Sequence, residues 1–323
     1  MLCRVADDLF WMGRYVERAI SVSRLIDVTR HLELDAGSAD FWAPLIGDVE
    51  TAQPADVSRF LTSDEGNPGS LVSCVREARG LARGVRESIS SDMWEELNTL
   101  HFSLARTGVG RQGEVDATSS HRVIGRRLQQ LQGLADATLA HDEPWHFVEL
   151  GTYLERADNV TRLLIRQSHL LERTDAGDDT VRQLAVLRSC GSAEAYARYY
   201  SLRVEPARVV EFLLLNPVFP QSVRFSLDAA ARALGAIAAL RSAAGNDPGA
   251  AVRTLGRVHA EIAHSAVDEI FDAGLERFLT RVQNGIAAAS DELTATYLRD
   301  QPRPARLAGV ARAAVLMAEQ QQQ

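Results

Sequence analysis

Apolar residues recur at helical spacing along most of the chain. One stripe lies in residues 9–26, where positions three and four apart carry Leu9, Met12, Val16, Ala19, Ser23 and Ile26. Residues 150–164 carry the matching stripe Leu150, Leu154, Ala157, Thr161 and Leu164. Runs that alternate with a period of two, as half-buried strands do, are missing from the sequence. The pattern predicts an all-α protein with long amphipathic helices.

Prolines, glycines and capping residues divide this helical pattern. We expect one long helix over residues 145–172, and Ser70 and Ser222 stand in positions typical of helix N-caps. Residues 106–120 are predicted to form a mobile loop. Residues 301–323 are predicted to form a partly helical or disordered tail.

Two segments in the first part of the sequence have similar counterparts later in the chain, in the same order. The segment "MGRYVERAISVSRLI" at 12–26 is similar to "LGTYLERADNVTRLL" at 150–164, which lies 138 positions further on. The segment "PADVSRFLTSDEGNPGS" from Pro54 is similar to "PARVVEFLLLNPVFPQS" from Pro206. Two repeated blocks in one order indicate an internal duplication.

The duplication leads to a specific prediction of architecture. We expect a single helical domain over residues 1–300, built as a bundle from two duplicated helical halves around a pseudo-two-fold axis. The first half covers about 1–140 and the second about 141–300.

Composition narrows the classes of function. The chain has 323 residues, of which 46% are hydrophobic, and a net charge of -8, which argues against a nucleic-acid partner. No apolar run is long enough to span a membrane, and the acidic N-terminal segment does not look like a secretion signal. We therefore expect a cytoplasmic protein with no membrane partner. All 35 basic residues are arginines, so a P-loop lysine or a Schiff-base lysine is excluded.

An adjacent Glu-Arg pair occurs in both copies of the first repeat, as Glu17-Arg18 and Glu155-Arg156. A glycine precedes each pair by four residues, and we expect both glycines to allow close approach of another backbone. The candidate ligand- or partner-binding residues are Tyr15, Glu17, Arg18, Arg24, Tyr153, Glu155, Arg156 and Arg162.

Three interpretations of these residues remain open. They form reciprocal internal salt bridges that fix the register of helices, or they line a polar cleft between the halves that grips a carboxylate, a phosphate or a peptide. The third interpretation is an ordinary solvated face.

Metal and cofactor sites are not expected. Glu143-x-x-His146 and Glu261-x-x-His264 have the spacing of di-iron helical bundles, but Pro144 places the first pair at a helix start. No glycine-rich phosphate motif, zinc motif or nucleophile elbow is present in the sequence. We predict no metal ligands and no cofactor, and no catalytic residue is assigned.

Four segments in order resemble the bacterial alpha-E family, an all-helical domain with a Glu-Arg motif. They are "MLCRVADDLFWMGRYVERA", "SSDMWEELN", "LGTYLERADNVTRLL" and "VVEFLLLNPVFPQSVRF", and the resemblance covers roughly residues 1–300. Members are typically encoded beside, or fused to, a circularly permuted ATP-grasp protein, often with a transglutaminase-like protein nearby. The chain departs from the family pattern at Thr152 and at Gln221, where basic residues are usual.

The resemblance implies an accessory or substrate-presenting subunit of an ATP-grasp peptide or amide ligase system. Such a subunit would bind a partner protein, a peptide or an amino-acid substrate through the paired Glu-Arg cleft. One alternative is an enzyme, a transferase or hydrolase, that uses Glu17 or Glu155 as general base, although adjacent arginines do not favour a base. A further alternative is a structural homo-oligomeric scaffold.

Overall fold

A computed structural model describes residues 1–36, 54–107, 117–172, 180–200, 204–242 and 249–298. Within these ranges the chain forms fourteen α-helices and no strand, which confirms the predicted all-α class. No helix in the same ranges combines the length and the hydropathy needed to cross a membrane.

The helices follow one another with short connections where both ends are described. They are α1 Cys3–Ala36, α2 Pro54–Thr62, α3 Leu71–Gly84, α4 Ser91–Thr107, α5 Ala117–Thr138, α6 Glu143–Arg166, α7 Ser168–Leu171, α8 Thr180–Ser189, α9 Ala193–Tyr200, α10 Pro206–Val210, α11 Val223–Ser242, α12 Gly249–Ala263, α13 Val267–Ala273 and α14 Leu275–Tyr297. A 3₁₀ turn at Arg86–Ser88 follows α3, and a π-helical stretch at Glu211–Leu215 follows α10.

The described residues divide into two compact units. The first unit contains residues 1–14 and 139–298, and the second contains residues 15–138. Helix α1 passes from the first unit into the second between Arg14 and Tyr15. The duplicated halves at 1–140 and 141–300 stay a prediction.

Four long helices form the core of the first unit. Helix α6 packs against α11 and α14, and α12 packs against the same two helices, so the four close into a ring. Leu154 of α6, Leu227 of α11, Leu255 of α12 and Leu279 of α14 are each at most 1% exposed. Since a fully buried leucine contributes about 1.5–3 kcal/mol, apolar packing holds this ring together.

In the second unit, helices α1, α3, α4 and α5 pack on one another in pairs. From Tyr15 onward α1 runs antiparallel to α5, because Glu17 contacts Gln132 whereas Ser23, further along α1, donates to the earlier His121 carbonyl oxygen. Helix α5 also packs against α4, and α4 packs against α3. This arrangement places the first Glu-Arg pair beside the C-terminal part of α5.

Side-chain caps begin two of the helices as predicted. The Ser70 hydroxyl oxygen accepts a hydrogen bond from the Ser73 amide at 3.2 Å. The Ser222 hydroxyl oxygen likewise accepts one from the Phe225 amide at 3.0 Å. Both serines satisfy a backbone N–H that the first helical turn would otherwise leave unpaired.

Two expectations about the helices need correction. The long helix predicted over 145–172 ends at Arg166, and α7 starts after an interruption at Gln167. The loop predicted over 106–120 is wrong at both ends, because α4 continues to Thr107 and α5 starts at Ala117. The rest of that loop and the predicted tail at 301–323 lie outside the described residues.

Helix α1 also differs from the amphipathic expectation. Every residue from 6 to 20 is buried, including the charged Asp7, Arg14, Glu17 and Arg18. A helix that is covered on all sides has no solvated face. The interpretation of the Glu17-Arg18 pair as an ordinary surface feature is therefore wrong.

Candidate functional site

Helices α1 and α6 cross at a pair of glycines. A Cβ atom added to Gly13 would lie within 3.0 Å of the Val148 carbonyl oxygen. A Cβ atom added to Gly151 would lie equally close to the Phe10 carbonyl oxygen. Only residues without a Cβ allow the two backbones to come this near, so the close approach predicted from the glycines is confirmed.

The crossing is reciprocal. Gly13 and Gly151 are 138 positions apart, and so are Phe10 and Val148, the residues whose carbonyl groups they meet. Each glycine therefore contacts the residue three positions before the other glycine, which is the contact pattern that a two-fold axis produces. The pseudo-two-fold axis between two duplicated halves stays a prediction.

Glu155 lies one turn after Gly151 and is fully buried, with 0% of its surface exposed. Its Oε2 atom accepts a hydrogen bond from Nε of Arg14 at 2.8 Å. Arg14 is itself only 4% exposed, and its guanidinium carbon lies 5.7 Å from the Phe10 ring centroid and 5.2 Å from that of Trp11. A buried carboxylate is costly without such a partner, so the pair joins α1 and α6 within the first unit.

The neighbouring Arg156 points to a different part of the first unit. Its NH1 atom donates to the Pro220 carbonyl oxygen at 3.2 Å, and its guanidinium carbon lies 4.8 Å from the Tyr153 ring centroid. The Tyr153 ring in turn lies 6.0 Å from that of Phe225. Arg156 thus links α6 to the segment that precedes α11, where it satisfies a backbone carbonyl group.

Arg162 occupies the next turns of α6 and takes part in a second polar contact. Its NH2 atom pairs with the Asp158 carboxylate four residues earlier. The other Asp158 oxygen accepts a hydrogen bond from Nε2 of Gln283 on α14 at 3.3 Å. This contact ties α6 to α14, next to the buried core.

In the second unit, Glu17 is also fully buried, with 0% of its surface exposed. Its Oε2 atom accepts a short hydrogen bond of 2.6 Å from the Nε2 amide of Gln132 on α5. The guanidinium carbon of Arg18 lies 5.5 Å from the Tyr15 ring centroid, and both residues are buried. Arg24 is partly exposed.

The eight predicted site residues are divided equally between the two units. Tyr15, Glu17, Arg18 and Arg24 belong to the second unit, whereas Tyr153, Glu155, Arg156 and Arg162 belong to the first. Arg24, Tyr153 and Arg162 keep partial exposure, and the other five are buried. Their role as a binding site stays a prediction.

Sequence reasoning missed three partners of these residues: Arg14, Gln132 and Asp158. Arg14 had a readable signal, because it stands directly before the repeated tyrosine, where the second copy carries Thr152. Gln132 lies outside both repeated blocks. Asp158 lies inside the second copy, at the position that corresponds to Ile20, and it stands four residues before Arg162, a spacing that favours an ion pair on one helix face.

The glutamate of each Glu-x-x-His pair contacts an arginine. Glu143 pairs with Arg241, and Glu261 accepts a hydrogen bond from Nε of Arg281 at 2.6 Å. Burial alone would raise the pKa of Glu143, but the hydrogen bonds and charges of Arg241 and of the Met1 ammonium together outweigh it and lower that pKa. Among the residues that the structure describes, no three His, Cys, Asp or Glu side chains come together as metal ligands would.

A family model described as a predicted alpha-helical domain with a conserved ER motif, Alpha-E, matches residues 1–298. The chain belongs to the Alpha-E family. Uncharacterized proteins of Mycobacterium bovis and of Mycobacterium tuberculosis strains CDC 1551 and H37Rv are each 28% identical to it over 256 residues. That match covers 70% of this chain but only 29% of each relative, so the chain spans less than a third of the length of the curated relatives. No solved structure matches the chain.

In this Alpha-E chain the two glutamates of the ER motif are interior groups. Glu155 is held by a guanidinium and Glu17 by a side-chain amide, and neither carboxylate reaches solvent. A general base must come within hydrogen-bond distance of the proton that it removes from a substrate. The arrangement is therefore suited to joining helices and poorly suited to acid–base chemistry on an external substrate.

Proposed function

We propose that this Alpha-E chain is a non-catalytic accessory or substrate-presenting subunit of an ATP-grasp-type peptide or amide ligase system. The proposal starts from the kind of neighbour that the family resemblance implies, a circularly permuted ATP-grasp protein. The length of the relatives supports it, because most of each relative lies outside the part that matches this chain. Such proportions are typical of a domain that works together with other protein segments.

One observation carries the non-catalytic part of the proposal: the buried Arg14–Glu155 ion pair. With 0% exposure, Glu155 has no access to a substrate, and its Oε2 atom accepts a hydrogen bond from Arg14. The same burial applies to Glu17. The ER motif in this proposal stabilises the helix crossings, and the alternative in which Glu17 or Glu155 acts as general base is less well supported.

The chemistry of ATP-grasp enzymes gives such a subunit a role. These enzymes make an acyl phosphate and capture it with an amine, so the acyl phosphate must be protected from water and the amine must be positioned. A helical subunit that holds a peptide or an amino acid beside the ligase would serve both needs. A transglutaminase-like protein would be a second partner in the same system.

The test is affinity purification of the full chain from its native host, followed by mass spectrometry and by an amide-forming assay with and without this chain. We expect a circularly permuted ATP-grasp protein to co-purify, and product to form only when both proteins are present. Full ligase activity without this chain, together with no co-purifying ligase, would contradict the proposal. Recovery of further copies of this chain alone would favour the scaffold alternative.

A single variant separates the structural role of the motif from a catalytic one. Glu155→Gln keeps the size of the side chain and removes its charge. If the motif is structural, the variant melts at a lower temperature but, below that temperature, still binds the ligase and supports product formation. Unchanged melting with loss of product would instead identify Glu155 as a catalytic residue.

A further inference from the structure

An arginine stripe runs along α3 and continues into the following 3₁₀ turn. Arg76, Arg79, Arg83 and Arg86 are spaced three, four and three residues apart, which places them on one side of a helix. Opposite them lies α4, which packs against α3 within the second unit. None of these arginines belongs to the Glu-Arg motif.

Two of the arginines alternate with two aromatic rings of α4. The guanidinium carbon of Arg86 lies 4.9 Å from the Trp94 ring centroid, and that of Arg79 lies 5.7 Å from the same centroid. The guanidinium carbon of Arg79 also lies 5.1 Å from the Phe102 ring centroid. We call Arg86, Trp94, Arg79 and Phe102 the arginine–aromatic row.

The row is open to solvent. Phe102 is 50% exposed and Arg86 is exposed, whereas Arg79 and Trp94 are half-buried. Nε of Arg79 donates to Oδ1 of Asn98 at 2.9 Å, which fixes the guanidinium between the two rings. Arginine and aromatic side chains are the kinds of residue that contribute most of the binding free energy in protein interfaces.

The charge of the row is not neutralised within the described part of the second unit. Arg76 pairs with Glu65 at 2.9 Å, but Arg79, Arg83 and Arg86 have no carboxylate within salt-bridge distance among the described residues. The pKa of His101, next to Phe102, is lowered by burial and then by the charges of Arg79 and Arg76. This face is electropositive although the whole chain carries a net charge of -8.

We propose that the arginine–aromatic row is a docking surface for an acidic segment of a partner protein. Guanidinium groups bind carboxylates through two parallel hydrogen bonds, and stacking on a ring leaves the edge of the guanidinium available for them. The guanidinium carbons of Arg79 and Arg86 lie 5.7 Å and 4.9 Å from the centroid of the same ring, that of Trp94. The distance between the two carbons is therefore at most the sum of these two distances. One peptide segment can place two carboxylates across that span and an apolar side chain on Phe102.

A peptide fits this surface better than a nucleic acid does. The exposed Glu87 and Glu95 directly follow Arg86 and Trp94 in the sequence. A phosphate backbone carries charge at every step and would be repelled there, whereas a peptide can set neutral residues opposite these two glutamates. The occupant is therefore a protein segment with a few carboxylates and at least one apolar residue.

The test is fluorescence anisotropy with the purified full chain and a fluorescein-labelled peptide of glutamates with a central leucine. We expect the Arg79→Gln, Arg86→Gln variant to bind the peptide roughly tenfold or more weakly, since the charge-assisted hydrogen bonds to its carboxylates are lost. The matched control is Arg253→Gln, Arg257→Gln, which removes two exposed arginines of α12 and changes the net charge equally. Phe102→Ala should also weaken binding while it keeps every charge.

Three outcomes would overturn the proposal. They are equal loss of affinity in both double variants, equal binding of a peptide with glutamine in place of glutamate, and tighter binding of a labelled oligothymidylate. The single variant Arg86→Gln changes only an exposed residue, so it reports on binding even if the double variant folds poorly. The assay contains no ligase, and its result is therefore independent of the ATP-grasp proposal.

A second measurement tests the charge of this surface directly. An NMR titration of the His101 imidazole should show a higher pKa in Arg79→Gln than in the wild type, because a neighbouring positive charge has been removed. The rise should be partial, since burial is the larger cause of the lowered pKa. Arg253→Gln should leave the titration curve of His101 unchanged.

Discussion

The two copies of the ER motif lie in equally buried surroundings but meet different groups within their own units. Glu155 meets the guanidinium of Arg14, whereas Glu17 meets the side-chain amide of Gln132. The position in the second copy that corresponds to Arg14 is Thr152, which carries no charge. Two similar helical segments thus place their glutamates in the same kind of interior, and residues outside the motif contribute to what stabilises each carboxylate.

This difference has consequences for stability. A guanidinium supplies both charge and hydrogen bonds to a buried carboxylate, and its removal leaves a buried charge that has lost its counter-ion. An amide supplies a hydrogen bond alone, and its removal costs the free energy of that bond. Loss of Arg14 from the first unit should therefore lower the free energy of unfolding more than loss of Gln132 from the second.

The largest effect is expected for Arg14→Met. The free energy of unfolding should fall by about 3–5 kcal/mol, the usual cost of breaking a buried pair by removing one partner. Urea unfolding followed by circular dichroism measures it. The double variant Arg14→Met, Glu155→Leu should recover most of the loss, because a well-packed apolar pair can replace a buried ion pair. Unfolding of Arg14→Met at the wild-type urea concentration would show that the two motif copies do not differ in this way.

The next effect is expected for Gly151→Ala at the helix crossing. The added methyl group would meet the backbone of Phe10, which has little freedom to move, so the stability should fall by about 3 kcal/mol. Gly256→Ala on α12 is the matched control, since a Cβ there would meet nothing within 4 Å. The free energy of unfolding of this control should rise by about 0.5–1 kcal/mol, because alanine reduces the conformational freedom of the unfolded chain. Thermal melts of both variants compare them, and equal changes would argue against the close crossing.

The smallest effect in this series is expected for Gln132→Leu in the second unit. Loss of its hydrogen bond to Glu17 should lower the free energy of unfolding by about 1–2 kcal/mol. Gly133→Ala, at the next position of α5 and in open space, is the control and should be slightly stabilising. A loss in Gln132→Leu as large as that in Arg14→Met would remove the difference between the two copies.

The helix crossing could be predicted from the sequence, whereas the partners at the crossing could not. Gly13 and Gly151 indicated a close backbone approach because both stand at the same place in repeated helices. A repeat of this kind can be read directly from the sequence. The Arg14–Glu155 pair joins residues 141 positions apart, and only the packing of α1 on α6 brings them together. Periodicity shows which face of a helix is apolar but not what lies opposite that face.

The same limit explains the errors in the helix boundaries. The interruption of α6 at Gln167 involves no proline or glycine, so no local signal marked it. The π-helical stretch at Glu211–Leu215 likewise consists of residues with ordinary helical preferences. It follows that tertiary packing, and not local preference, sets these features.

Helix α1 belongs partly to each compact unit, and this has a consequence for the order of folding during synthesis. The described residues of the second unit all lie within 15–138, so they leave the ribosome before α6 does. The first fourteen residues must wait for α6, more than a hundred residues later, before Phe10 and Arg14 find their partners. The start of α1 thus reaches its native place only after α6 has been made, and its apolar side chains stay exposed to chaperones in the meantime.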